Sequence, residues 1–101
     1  ELAHAELNRC WFGGTLRPIP IHLSHRMRSR LGEWRAHQRD LPEEIVISAR
    51  HIERQGWTAA LDTLLHEMIH QWQAATDRPV KHDAEFRRRA KAVGISPRAK
   101  F

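Results

Sequence analysis

Residues 58–77, TAALDTLLHEMIHQWQAATD, decide how the rest of this chain is arranged. The stretch contains neither proline nor glycine and reads as one long helix. At ~100° per residue, Leu61, Leu64, Leu65, Met68, Ile69 and Trp72 fall in one arc about 140° wide, a face built for a core. His66 and His70 fall roughly opposite the centre of that arc, with Glu67 to one side. Histidines four apart stand one turn from each other on the same side of a helix, so both imidazoles can reach one metal ion. Glu67, next to the first of them, is placed to act on water at that metal. With 8 His in 101 residues, H-E-x-x-H would arise by chance about one time in twenty. The opposed apolar arc, the unbroken helix and a suitable third ligand downstream set this instance apart from an ordinary His-rich polar face.

A catalytic zinc site needs three protein ligands and an open position. The extended H-E-x-x-H-x-x-G-x-x-H form fails here, because Gln73 and Thr76 stand at its Gly and last His positions. Glu85, on a downstream helix, is one possible third ligand. His82 is the stronger one, since it enters the final helix after a loop that can fold back.

The chain of 101 residues, 41% apolar, is expected to form one domain over residues 1–101 with a single modest core. Lys and Arg number 17 against 12 Asp and Glu, a net charge of +5. That balance fits a polyanion partner or an ordinary solvated surface. Cys10 is the only cysteine, which removes any internal disulfide framework or cysteine zinc finger, and it is expected to be a small buried hydrophobe. No apolar run approaches the ~20 residues of a membrane span, and no signal peptide is seen. An intracellular place, cytoplasmic (nucleoid-associated) or nuclear, is expected, as a monomer.

In chain order, residues 1–10 read as a helix with Leu2, Ala3, Leu7 and Cys10 inward, broken by Gly13-Gly14. Residues 16–23 alternate around Pro18 and Pro20, as an edge strand would. Such an edge beside the metal helix can pair with an extended substrate. His22 and His25 are expected to be solvated. A second strand is read at 31–36, in a hairpin, and Glu44 to Ser48 (EIVIS) is the best strand of the chain. Residues 49–55 form a short helical turn ending at Gly56, and Thr58 caps the metal helix. Residues 83–93 form a last helix with Phe86, Ala90 and Val93 inward and Gly94 as its stop. Its outer face is read as Arg87, Arg88, Arg89 and Lys91. The tail 96–101 adds Arg98 and Lys100 and is expected to be loose.

Over most of its length the sequence resembles the SprT-like metalloprotease domain, the family that includes Spartan. The resemblance rests on Asn8 with Phe12-Gly13-Gly14 and Leu16, the Gly32 hairpin, the strand ending Ile47-Ser48, and Trp57. It continues through Leu64-Leu65-His66-Glu67-Met68-Ile69-His70 and His82-x-x-x-Phe86. The family usually has His-Gly-x-x-Phe in the last motif, so Asp83 departs from it. The resemblance implies a zinc protease whose relatives cleave proteins on or crosslinked to DNA, often under DNA control.

The expected fold is α+β, a small antiparallel three-stranded sheet packed on the central metal helix with helices at both ends. His66, His70 and His82 are expected to bind Zn2+, with Glu67 as general base toward a protein or peptide substrate. The chain has no tyrosine, so a tyrosine cannot stabilise the oxyanion; His25 or an arginine is left for that role. Single-stranded or distorted DNA would be held without regard to sequence by Arg26, Arg28, Arg30 and Arg35, with Trp34 for stacking, or by Arg87, Arg88, Arg89 and Lys91. A zinc-containing nucleic-acid-binding module without catalysis, and a peptidase without a DNA role, are the competing readings.

Overall fold

The computed structural model describes residues 2–95; the tail carrying Arg98 and Lys100 lies outside the described residues. The elements run α1 (Leu2–Trp11), β1 (Ile21–Ser24), β2 (Gly32–Arg35), β3 (Glu44–Ser48), α2 (Ala49–Ala75) and α3 (Ala84–Ala92). The α+β expectation holds, with a long central helix and a helix at each end.

The sheet is mixed, and this corrects the antiparallel expectation. Its order is β1-β3-β2, with β1 parallel and β2 antiparallel to β3. The chain runs along β1, crosses over through residues 25–31, returns along β2, and then inserts β3 between the two. Hydrophobicity explains the order. Ile45, Val46 and Ile47 are all buried, a continuous apolar run suited to the centre of a covered sheet. Glu33, Arg35 and the prolines before β1 belong on edges.

β3 passes into α2 without a loop, and the Ser48 hydroxyl caps the start by accepting from the His51 amide. Gly56 then breaks the helical backbone at φ 85° and ψ 177°, so residues 49–55 and the metal-helix segment are two helices joined at a kink. The last turn of α2 closes with Arg78 N–H donating to Gln73 O (2.7 Å) and Asp77 N–H to Ala74 O (3.2 Å), with Asp77 at φ 58°. That pattern turns the chain back on the helix it has just left, which is what returns His82 to His66 and His70.

Leu64, Leu65, Met68 and Ile69 form the core with Ile45, Ile47, Phe12, Leu16, Phe86 and Ala90. Leu61, placed on the same arc, is instead exposed. The stripe expected on α1 is rotated: His4 and Asn8 face inward, while Leu2 and Cys10 are exposed. Polar partners account for the rotation. His4 Nε2 meets Gln71 Oε1 at 2.8 Å. Asn8 both donates to Leu16 O (2.8 Å) and accepts from Leu16 N–H (3.1 Å), closing the turn after the helix. A buried polar side chain with all its partners in place can occupy a core position that periodicity assigns to an apolar one.

Candidate metal centre

His66 and His70 project from one side of α2, and the returning loop brings His82 against them. His82 Nε2 lies 3.1 Å from His66 Nε2 and 3.2 Å from His70 Nε2. One ligand nitrogen from each of the three falls within 4.8 Å of the others, as a group that could hold a metal ion. Burial lowers the pKa of all three: His66 falls to about 3, helped by the neighbouring rings, and His70 and His82 fall below their ordinary value. Three imidazoles converging in the neutral state present lone pairs to one point, a donor set that fits a divalent ion.

The tautomer of His70 follows from its partner. His70 Nδ1 donates to Gln73 Oε1 at 2.8 Å, so Nε2 keeps its lone pair toward the cluster. Phe86 forms the floor beneath the three rings, with centroid separations of 4.8 Å to His66, 4.9 Å to His70 and 4.8 Å to His82.

His82 is fixed from its own side. Arg87 Nη1 donates to His82 O at 2.9 Å, and Asp83 caps α3 by accepting from the Phe86 amide at 2.9 Å. Asp83 has an extended backbone, φ −86° and ψ −173°, which any residue adopts. A carboxylate in place of the family's glycine therefore leaves the backbone unstrained and supplies a cap. Glu85 is engaged elsewhere, in an ion pair with Arg78 at 2.8 Å.

Glu67 is buried beside its histidine neighbours. Burial drives its carboxyl up to about 8, while the backbone N–H of Trp34 partly offsets this by donating to it. The donor is available because of strand register. Ser48 N–H donates to Leu31 O, so alternate residues of β2 pair with β3, and Gly32 and Trp34 turn their backbone groups to the open edge.

A cleft of about 800 Å³ joins these parts. Residues 29–34 form one wall, His66, Glu67 and His70 the base, and residues 80–82 the other wall. The edge strand beside the centre is thus β2; β1, expected there from its prolines, lies at the far side of the sheet. Gly32 permits the close approach of β2 to α2: a Cβ there would stand 2.7 Å from Thr63 Cγ2 and 3.2 Å from Ile47 Cδ1.

The basic residues divide. Arg26 and Arg28 are exposed, and Arg30 lines the cleft while pairing with Glu33 at 2.8 Å. Arg35 pairs with Glu33 and Glu44. Trp34 lines the cleft, and its indole N–H donates to Glu43 at 2.7 Å. On α3, Arg87, Arg88 and Lys91 are exposed. Arg89, read from the sequence as outward, is turned inward over the rings of Phe12 (4.9 Å) and Trp72 (4.7 Å). His22 and His25 are exposed as expected, and His25 does not line the cleft.

The sequence reading did not assign Gln73 or the Trp34 amide to the site. In the sequence Gln73 is visible only as breaking a longer motif, and a backbone donor leaves no trace in side-chain identity.

A mixed three-stranded sheet over a long helix, with three histidines converging beside a buried glutamate, defines a metallopeptidase-type domain. The SprT-like family model matches residues 1–100, and the chain belongs to that family. A comparison with curated proteins gave no significant match. No helix among the described residues is long and apolar enough to cross a membrane.

Proposed function

We propose that this domain is a zinc-dependent endopeptidase. The observation that carries the reading is the convergence of His66, His70 and His82 beside buried Glu67, at the base of an open cleft. The group of potential ligands has three members among the described residues, which fits a site with a position left for water and substrate. Zinc held there would supply a Lewis acid that polarises the scissile carbonyl and acidifies water.

The remaining work belongs to the chain. An extended substrate runs along the open edge of β2, where the backbone groups of Gly32 and the carbonyl of Trp34 face the cleft. With the charge of a bound zinc favouring its ionised form, Glu67 would take the proton of the attacking water and return it to the leaving amine. The Trp34 amide holds the carboxyl in position for both transfers. Arg30 is the cleft-lining side chain suited to the developing oxyanion.

A finer reading, that the substrates are proteins bound or crosslinked to DNA, draws on family membership and on Arg26, Arg28 and Arg30 near one wall of the cleft. A non-catalytic zinc module is disfavoured by Glu67, because a structural site has no use for a buried carboxylate beside its ligands.

Metal analysis with an assay on an unfolded protein tests the reading. About one zinc per chain is expected, lost in His66→Ala, His70→Ala and His82→Ala. Glu67→Gln should keep the metal and lose at least ~10²-fold in turnover. Near-normal turnover in Glu67→Gln would overturn the mechanism, and metal loss in Glu85→Ala with retention in His82→Ala would overturn the ligand set.

A further inference from the structure

We infer that Gln73 is a positioning residue that couples two of the three metal ligands, setting the tautomer of His70 and tethering the loop that delivers His82. The inference rests on the metal-centre reading above.

Gln73 is buried in the last turns of α2, three residues beyond His70. Its side chain spends both of its functional atoms on the site. Oε1 accepts from His70 Nδ1 at 2.8 Å, and Nε2 donates to Lys81 O, also at 2.8 Å. The two bonds fix one another. The Lys81 carbonyl can only accept, so the Gln73 amide nitrogen must face it. The oxygen is then left facing His70, where it can only accept. His70 Nδ1 must therefore carry the proton, and His70 Nε2 must carry the lone pair, at the atom that lies 3.2 Å from His82 Nε2.

Lys81 directly precedes His82, so the same carboxamide also restrains the segment that carries the third ligand. The backbone of Gln73 reinforces the arrangement, because its carbonyl accepts the Arg78 amide at 2.7 Å and helps turn the chain toward His82. A buried amide that served packing alone would need no such pairing. An apolar side chain of similar length would fill the space, but it would leave His70 free to protonate either nitrogen and leave the Lys81 carbonyl without this donor.

The test uses Gln73→Met, which keeps length and volume while removing both bonds, in the same chain as the unmodified protein. Long-range 1H–15N correlation of the imidazoles in metal-free protein reads the tautomer directly, without activity or metal. The unmodified protein should show His70 protonated at Nδ1, and Gln73→Met should shift population to the Nε2-protonated form. Zinc affinity, measured by competition with a chromogenic chelator, should fall by about 10- to 100-fold in Gln73→Met.

An Nε2-protonated His70 in the unmodified metal-free protein overturns the inference, even if the variant does not fold. So does a variant with unmodified tautomer and unmodified zinc affinity. Failure of the unmodified protein to bind zinc would count against the metal-centre reading, while the tautomer would still report on Gln73.

Discussion

The ring of Phe86 stacks on the imidazole of His70, with centroids 4.9 Å apart and planes 24° from parallel. The same ring meets His66 and His82 edge-on and is fully buried. One aromatic side chain from α3 thus backs three ligands from two separate segments, joining the hydrophobic core to the candidate metal centre.

Phe86→Ala should therefore damage stability and site together. Removing a buried phenylalanine costs about 3–5 kcal/mol, and the three imidazoles lose the surface that fixes their tilt. Phe86→Leu keeps most of the volume and should cost about 1–2 kcal/mol. Its zinc affinity should still fall below that of the unmodified chain, because a leucine cannot offer a flat face. Chemical denaturation and chelator competition on the two variants separate these effects.

Glu67 gives a pH dependence whose sign is fixed by its burial. Its folded-state pKa is raised, from 4.5 to about 8. A raised carboxyl contributes stability that is fully present below the unfolded value and lost as pH rises through the folded one. Metal-free Glu67→Gln, which has no charge to bury, should accordingly be more stable than the unmodified protein near pH 8, by on the order of 2–4 kcal/mol. The difference should shrink as pH falls and close near pH 4.5. Denaturation midpoints for both chains across this range, in the presence of chelator, would measure it.

Gly32 is a position where β2 approaches the metal helix closely. Adding a methyl group there puts Cβ 2.7 Å from the Cγ2 of Thr63, which is fully buried, so β2 or α2 must move. Gly32→Ala should destabilise the fold by about 1–3 kcal/mol through overpacking. It should also shift the Trp34 amide relative to Glu67, lowering turnover on a peptide while leaving zinc content near one per chain.

How much of this was legible in the sequence depended on what kind of interaction fixed each part. β3 was read with its observed limits, because a short apolar run between polar residues has few alternatives. The metal helix and α3 were also found, since H-E-x-x-H and Phe86, Ala90 and Val93 carry a strong helical period. Strand order was not, because alternation describes a face and says nothing about a neighbour. The parallel partner of β1 follows from β3 being apolar enough to take the centre. Helical periodicity puts Cys10 and Arg89 on the wrong sides for a related reason. Buried hydrogen bonds of His4 and Asn8 set the rotation of α1, and the rings of Phe12 and Trp72 draw Arg89 inward, and neither depends on hydrophobic periodicity. Gln73 and the Trp34 amide act through hydrogen-bond geometry that requires the folded chain.

The division among the basic residues makes the DNA reading testable at single positions. Arg26, Arg28, Arg88 and Lys91 are exposed and take part in no ion pair among the described residues. Their charge is free to meet phosphate. Arg89 is already committed to Phe12 and Trp72 and donates to Trp11 O at 3.2 Å. If the domain holds single-stranded DNA, affinity should be insensitive to sequence and fall steeply with salt, because each phosphate contact releases counterions. Charge reversal at Arg26 and Arg28, or at Arg88 and Lys91, should flatten that salt dependence and abolish DNA-stimulated cleavage. Zinc content and cleavage of a short peptide should stay near their unmodified values. Arg89→Ala should behave differently, lowering stability by about 1–2 kcal/mol through lost packing and cation–π contact with little change in the salt slope. Binding titrations from ~50 mM salt upward, alongside thermal unfolding of each variant, distinguish the two groups. An unmodified domain without measurable affinity at the lowest salt would remove DNA from its function and leave the peptidase reading standing.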